Sequence, residues 1–121
     1  MGKQRERILT TLTPPRRSLG VTALGDRIFA IGGCDGEVVL DTVESWDVRG
    51  SSGWCTEPSL RAARSNLGAC SVYGRVYAVG GWDGKQELST VESLVPGVGS
   101  WRDEADLEIP RSNLAAAVLW G

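Results

Sequence analysis

Short apolar runs closed by glycine turns alternate with polar stretches along this chain. The clearest is Arg75-Val-Tyr-Ala-Val-Gly-Gly-Trp-Asp-Gly84, where an apolar strand runs into a glycine doublet and an Asp-Gly turn. The same pattern stands 48 residues earlier as Arg27-Ile-Phe-Ala-Ile-Gly-Gly-Cys-Asp-Gly36. Two copies in register mark an array. Around the first copy the pattern predicts four strands. Leu19 to Leu24 is the first, with Gly25-Asp26 as its hairpin turn. Ile28 to Ile31 is apolar on both faces, as a strand between two layers is. Gly32 and Gly33 end it, and Asp35-Gly36 turns the chain through positive φ. Asp41 to Trp46 is the third strand. Trp54 opens a fourth that ends near Leu60.

The second unit copies the first. Leu67 to Tyr73 matches Leu19 to Gly25, and Val76 to Gly81 matches Ile28 to Gly33. Thr90-Val-Glu-Ser93 repeats Thr42-Val-Glu-Ser45 letter for letter. Trp101 and Leu107 follow Trp54 and Leu60 by 47, and the missing residue falls in a loop, where variation costs little. Arg111-Ser-Asn-Leu114 echoes Arg64-Ser-Asn-Leu67 and begins a third unit. Leu12 matches Leu60, so the β-prone run before Pro14 reads as the last strand of a preceding unit. The expected organisation is an N-terminal tail and outer strand over 1–15, one repeat over 16–62, a second over 63–109, and the first strand of an incomplete unit over 110–121. No segment keeps helical periodicity beyond a turn, so the fold class is all-β, with four antiparallel strands per unit.

Composition narrows the functions. A net charge of −2 with 23% charged residues leaves no basic field for nucleic acid or an acidic membrane surface. The longest apolar run, Leu114 to Trp120, falls short of the roughly 20 residues of a membrane span. No apolar segment follows the N-terminus as in a secretory signal, and Glu6 stands where an acylation signal takes Ser or Thr. Cys34, Cys55 and Cys70 are odd in number and fit no metal spacing, so they read as free thiols of a reducing compartment. A cytoplasmic location is expected, with a nuclear one as the alternative. No histidine is present, which removes the imidazole base and the imidazole ligand. Asp35 and Asp83 lie in Asp-Gly turns, and Glu44 and Glu92 repeat identically, as architectural residues do. No enzyme, metal or cofactor is expected.

Strand, Gly-Gly, Asp-Gly, Val-Glu, Trp and a pre-strand arginine, at a period near 50, resemble the kelch repeat over about residues 12–121. The arrangement of Arg-Ser-Asn-Leu with Gly-Gly-Trp-Asp-Gly is most similar to the BTB–kelch adaptors. The resemblance implies a partial kelch β-propeller: two four-stranded antiparallel blades plus flanking strands of incomplete ones. In that frame Gly32, Gly33, Gly80 and Gly81 let a neighbouring backbone approach. Trp54 and Trp101 fill the wedges between blades, each burying on the order of 150–250 Å². Glu44 and Glu92 sit in apolar strands and need partners. Arg16, Arg64 and Arg111 are expected to supply some of them across the blade junctions.

The resemblance also implies a site. The residue after Gly-Gly is Cys34 in one unit and Trp82 in the next, a position that in the adaptors often carries an aromatic touching bound peptide. The matching starts of the first strands are Arg17-Ser18, Ser65-Asn66 and Ser112-Asn113, where family members use Arg, Ser and Asn to hold a ligand's carboxylates and backbone. Capping of the strand start is the competing role for these residues. Lys85 extends the variable loop, whose default is a solvated tip. The implied function is a protein-interaction module that captures a short acidic or polar peptide at the propeller mouth, as a substrate-recognition piece of a ubiquitin-ligase-type adaptor. Ligase work also needs BTB and BACK domains, which these residues do not supply. Actin binding, sugar processing, and a truncated product without its own function remain as alternatives. Propellers close with 4–8 blades. Two complete units therefore read as a piece of a longer ring, because head-to-tail copies would leave defective blades at each junction. Exposed blade faces and edges make self-association an expected liability.

Overall fold

The computed structural model describes residues 15–50 and 53–108. Among them there is no helix. Eight strands follow in order: β1 Gly20–Leu24, β2 Arg27–Ile31, β3 Val43–Asp47, β4 Trp54–Glu57, β5 Gly68–Val72, β6 Arg75–Val79, β7 Val91–Val95 and β8 Val98–Asp103. They form two four-stranded antiparallel sheets, β1-β2-β3-β4 and β5-β6-β7-β8, each a meander. This is the all-β pair of blades that the repeat predicts. The preceding strand containing Leu12 and the incomplete third unit lie outside the described residues. The fourth strand is shorter than expected. It ends at Glu57, because Pro58 has no N–H for a ladder, and Leu60 N donates to Asp41 O at 2.8 Å outside the sheet.

The sheets pack face to face over one core. Phe29, Ile31 and Val43 of the first meet Leu67, Val76, Ala78, Leu94 and Trp101 of the second, with Leu60 between. Trp101 is 1% exposed and donates its indole N–H to Pro58 O at 2.8 Å, so it fills the wedge and stays hydrogen-bonded. The unit that Trp54 would face lies outside the described residues. Trp54 is half-buried and tilted against Trp46, with ring centroids 6.2 Å apart.

The buried carboxylates pair with arginines inside their own repeat, which corrects the expectation of pairing across the junction. Arg64 Nη2 bonds Glu92 Oε2 at 2.7 Å, and Arg16 Nη2 bonds Glu44 Oε1 at 2.9 Å. Each guanidinium also donates to two carbonyls, Gly80 O and Thr90 O for Arg64, Gly32 O and Thr42 O for Arg16, all at 2.9–3.0 Å. The arginine that precedes each first strand is thereby anchored to β7 or β3 of the sheet it introduces. Other bonds cross the junction, among them the side-chain contacts Thr22 Oγ1 to Ser71 Oγ at 2.9 Å and Arg61 to Asp103 at 3.2 Å, and several with a backbone partner. Gly33 N donates to Arg64 O at 2.8 Å, Arg64 N to Leu40 O at 3.1 Å, and Arg61 N and Ala62 N to the Glu92 carboxylate at 2.7 and 3.0 Å. Arg111 lies outside the described residues.

The glycine doublets permit this approach. Gly32 and Gly80 share φ values of 61° and 60° and donate to Thr42 O and Thr90 O respectively. Gly81 has φ 106°, and a Cβ there would stand 2.6 Å from Ser65 O. Only glycine satisfies both conditions.

The exposed pair Arg49–Asp26 sets the contrast for stability, with side chains 80% and 54% exposed, against 0% and 1% for Arg64–Glu92. Arg64→Ala leaves a buried carboxylate short of its cation and is expected to cost about 3–5 kcal/mol. Arg49→Ala should cost less than about 1 kcal/mol. Urea denaturation of the two variants checks the difference.

Candidate functional site

One end of each sheet is built by the residues leading into its first strand and by the loop after the glycine doublet. In the first sheet Arg17 pairs with Cys34, and Cys34 with Val39. In the second Ser65 pairs with Trp82, and Trp82 with Glu87. The bonds are reciprocal: Arg17 N to Cys34 O at 3.0 Å and back at 2.9 Å, Ser65 N to Trp82 O at 2.9 Å and back at 2.8 Å. The residue after Gly-Gly is therefore the centre of a three-stranded rim, flanked by the lead-in residue and the loop's return.

The two loops have the same skeleton. Asp35 Oδ1 accepts from Glu37 N and Val38 N at 2.9 Å each, and Asp83 Oδ1 accepts from Lys85 N and Gln86 N at 2.7 and 2.9 Å. Leu40 N and Leu88 N each close the loop on the second glycine's carbonyl at 2.8 Å. These backbone donors hold both aspartate carboxyls below the usual carboxylate range. The turn role expected for the aspartates is what the geometry shows.

On this shared skeleton the side chains differ. Trp82 is 37% exposed where Cys34 is half-buried, and Lys85 is exposed where the other loop has Glu37. Arg17 and Ser18 are exposed, Asn66 is half-buried, and Ser65 is buried at 4% exposure. Ser65 thus shows its backbone at work in the rim, with its side chain below the surface. Ser18 and Asn66 occupy the same position, both with left-handed φ, 58° and 52°. Asn66 N donates to Ser18 O at 2.7 Å, which ties the two lead-in segments side by side. The structure therefore brings Arg17, Ser18, Cys34, Ser65, Asn66, Trp82 and Lys85 to one end of the paired sheets. Ser112 and Asn113 lie outside the described residues. An open groove of about 260 Å³ lies there, lined by Pro15, Arg16, Arg17, Cys34, Asp35 and Gly36.

Some features of this end were not read from the sequence. The Asn66–Ser18 link depends on backbone conformation, for which Asn66 was the one residue-type signal. The groove depends on how Arg17 and the Asp35 turn stand apart, and no residue pattern encodes that. All three cysteines are free thiols. Among the described residues no three His, Cys, Asp or Glu side chains gather as metal ligands, and no helix is long and apolar enough to cross a membrane.

Because Asp83 is bound as a carboxylate, its contribution to loop order is complete above the ordinary aspartate pKa and is lost as pH falls through its lower folded value. The backbone amide signals of Lys85 and Gln86 should titrate together at a midpoint below the usual carboxylate range. Asp83→Asn should abolish that transition in an NMR titration.

The Kelch motif profile matches residues 15–61 and 63–108, together more than half of the chain. Kelch-like protein 4 of Homo sapiens is similar as well, 45% identical over 38 residues, which are 31% of this chain and 5% of that protein.

Proposed function

The chain belongs to the kelch-repeat family, generally a protein-interaction fold, and on that premise we propose that it captures a short acidic or polar peptide at the rim of its paired blades. One observation carries this reading. Two rims of the same backbone geometry present unlike side chains, Arg17 with Cys34 and Ser65 with Trp82, at the end where the blades are joined by Asn66 and Ser18. A surface whose scaffold repeats while its exposed residues diverge is suited to selecting a partner.

Each residue has a physical role in that reading. Arg17 offers a planar fork of donors to a carboxylate, and charge-assisted hydrogen bonds are about twice as strong as neutral ones. Trp82 offers a rigid apolar ring with an N–H at its edge, the kind of side chain enriched at binding hot spots. Ser18 and Asn66 add short polar groups between the two rims, and Lys85 tunes charge at the loop tip. The finer proposal is that this is the substrate-recognition part of a ubiquitin-ligase-type adaptor acting in the cytoplasm or nucleus. The arrangement of Arg64-Ser-Asn-Leu67 with Gly80-Gly-Trp-Asp-Gly84 supports it.

A fluorescence-polarisation screen of short acidic, neutral and basic peptides tests the proposal. Acidic or polar sequences should be retained and basic ones should not. Trp82→Ala should weaken the best binder by at least about 1 kcal/mol, and Arg17→Glu should erase the preference for acidic sequences. Unchanged affinity in both variants, or co-sedimentation with actin filaments in place of peptide binding, would sink it.

A further inference from the structure

The two rims share a backbone and differ in what they carry. At an offset of 48 residues, Arg17, Glu37, Val38 and Val39 of the first correspond to Ser65, Lys85, Gln86 and Glu87 of the second. Apolar side chains of the rim loops therefore gather in one place. Val38 is 57% exposed on the first loop, and Trp82 shows its ring on the second. The two loops touch. Val39 Cγ2 lies 3.6 Å from where a Cβ on Gly84 would stand, an ordinary van der Waals distance. Gly84 has φ 102°, a conformation suited to glycine, so the turn of the second loop itself brings it against the valine.

Charge around this apolar spot is uneven. Arg17 is exposed and stands two strands from Val39 in the paired row Arg17–Cys34–Val39. Glu37 is exposed and adjoins Val38 in the chain. Glu87 is exposed and pairs with Trp82 in the row of the second rim. Lys85 is also exposed, and its charge already acts on the Asp83 carboxylate. A carboxylate brought by a ligand is therefore attracted at the Arg17 end and repelled by Glu37 and Glu87 near the apolar spot. One acidic side chain has a place here, and a run of them does not.

Resting on the reading of the rim as a peptide site, we propose that its ligand presents one carboxylate to Arg17 and one apolar side chain to Val38, Val39 and Trp82. Spacing follows from the paired row. Neighbouring strands are roughly 4.8 Å apart, so Arg17 and Val39 are separated by about 10 Å. In an extended peptide, side chains on one face are two or four residues apart, roughly 6.6 or 13 Å. The long arginine stem covers the difference. The carboxylate and the apolar side chain are therefore about two to four residues apart. Apolar contact supplies most of the affinity, because an exposed ion pair contributes little in water. Arg17 fixes where the peptide sits.

Fluorescence polarisation on the full chain tests this with labelled peptides of Gly, Ser and Asn. Each carries one Glu and one Leu, at every spacing up to about six residues. Glu-only, Leu-only and all-Glu peptides accompany them. Peptides with both residues about two to four apart should bind at least about tenfold tighter than either single-residue peptide. The all-Glu peptide should bind no better than the Glu-only one. Val38→Ser, a change at an exposed loop position, should remove the gain from Leu and spare the gain from Glu. Arg17→Ser should do the reverse. Affinity that climbs with the number of acids, or that ignores Leu or its spacing, overturns the proposal and leaves the rim a peptide site. No binding by any of these peptides, nor by the acidic, neutral and basic set, brings down the reading of the rim itself and the proposal with it.

Discussion

A guanidinium sealed beneath the start of each sheet is the constraint on which the structure depends. Arg64 holds the carbonyls of Gly80 and Thr90 and the carboxylate of Glu92 in one plane of donors. A planar fork can do this and an ammonium cannot. Glycine is needed at 80 because its carbonyl must turn toward the arginine while the chain leaves the strand with left-handed φ. The Glu92 carboxylate has capacity left over and uses it on the amides of Arg61 and Ala62, which arrive from the preceding blade. A charge buried without such a set of partners would destabilise the fold severely. The arginine, the glycine and the glutamate therefore stand or fall as a unit, and the blade-to-blade contact is attached to it.

Much of this was legible because the chain states it twice. The recurring doublets, glutamates and tryptophans gave the blades and the identity of the buried polar residues. What periodicity does not carry is direction. Arg16 and Glu44 are 28 apart, as are Arg64 and Glu92, yet pairing across the junction was equally consistent with the repeat. Trp54 and Trp101 are equivalent in sequence, but burial is set by what lies beside a blade. Ser45 and Ser93 went unnoticed inside the repeated Thr-Val-Glu-Ser. Both are fully buried, and each hydroxyl donates to a carboxylate at or just past the end of the fourth strand, Glu57 at 2.6 Å or Glu104 at 2.5 Å, while accepting from Arg27 or Arg75. Glu57 and Glu104 share the 47-residue offset of the tryptophans, a signal that was there to be read.

The rim illustrates a division of labour between backbone and side chain. Asp35 and Asp83 fold their loops with main-chain donors alone, and the reciprocal bonds of Cys34 and Trp82 use main chain on both sides. The Cys34 thiol takes one bond within its own loop, from Gly36 N at 3.4 Å, and the Trp82 ring adds none to the backbone ladder of the rim. A duplicated blade can therefore change what it shows without changing how it folds. Candidate contact residues were found by difference between copies for this reason, while the groove beside Arg17 required coordinates.

The meander order of each sheet has a bearing on how the molecule is made. Every ladder joins strands adjacent along the chain, so closing it spans only short loops and costs little entropy. A ribosome that has released the first four strands has released a sheet able to pair internally before the second exists. The Trp101 indole reaches back 43 residues to Pro58, and that late stitch joins two pieces already shaped.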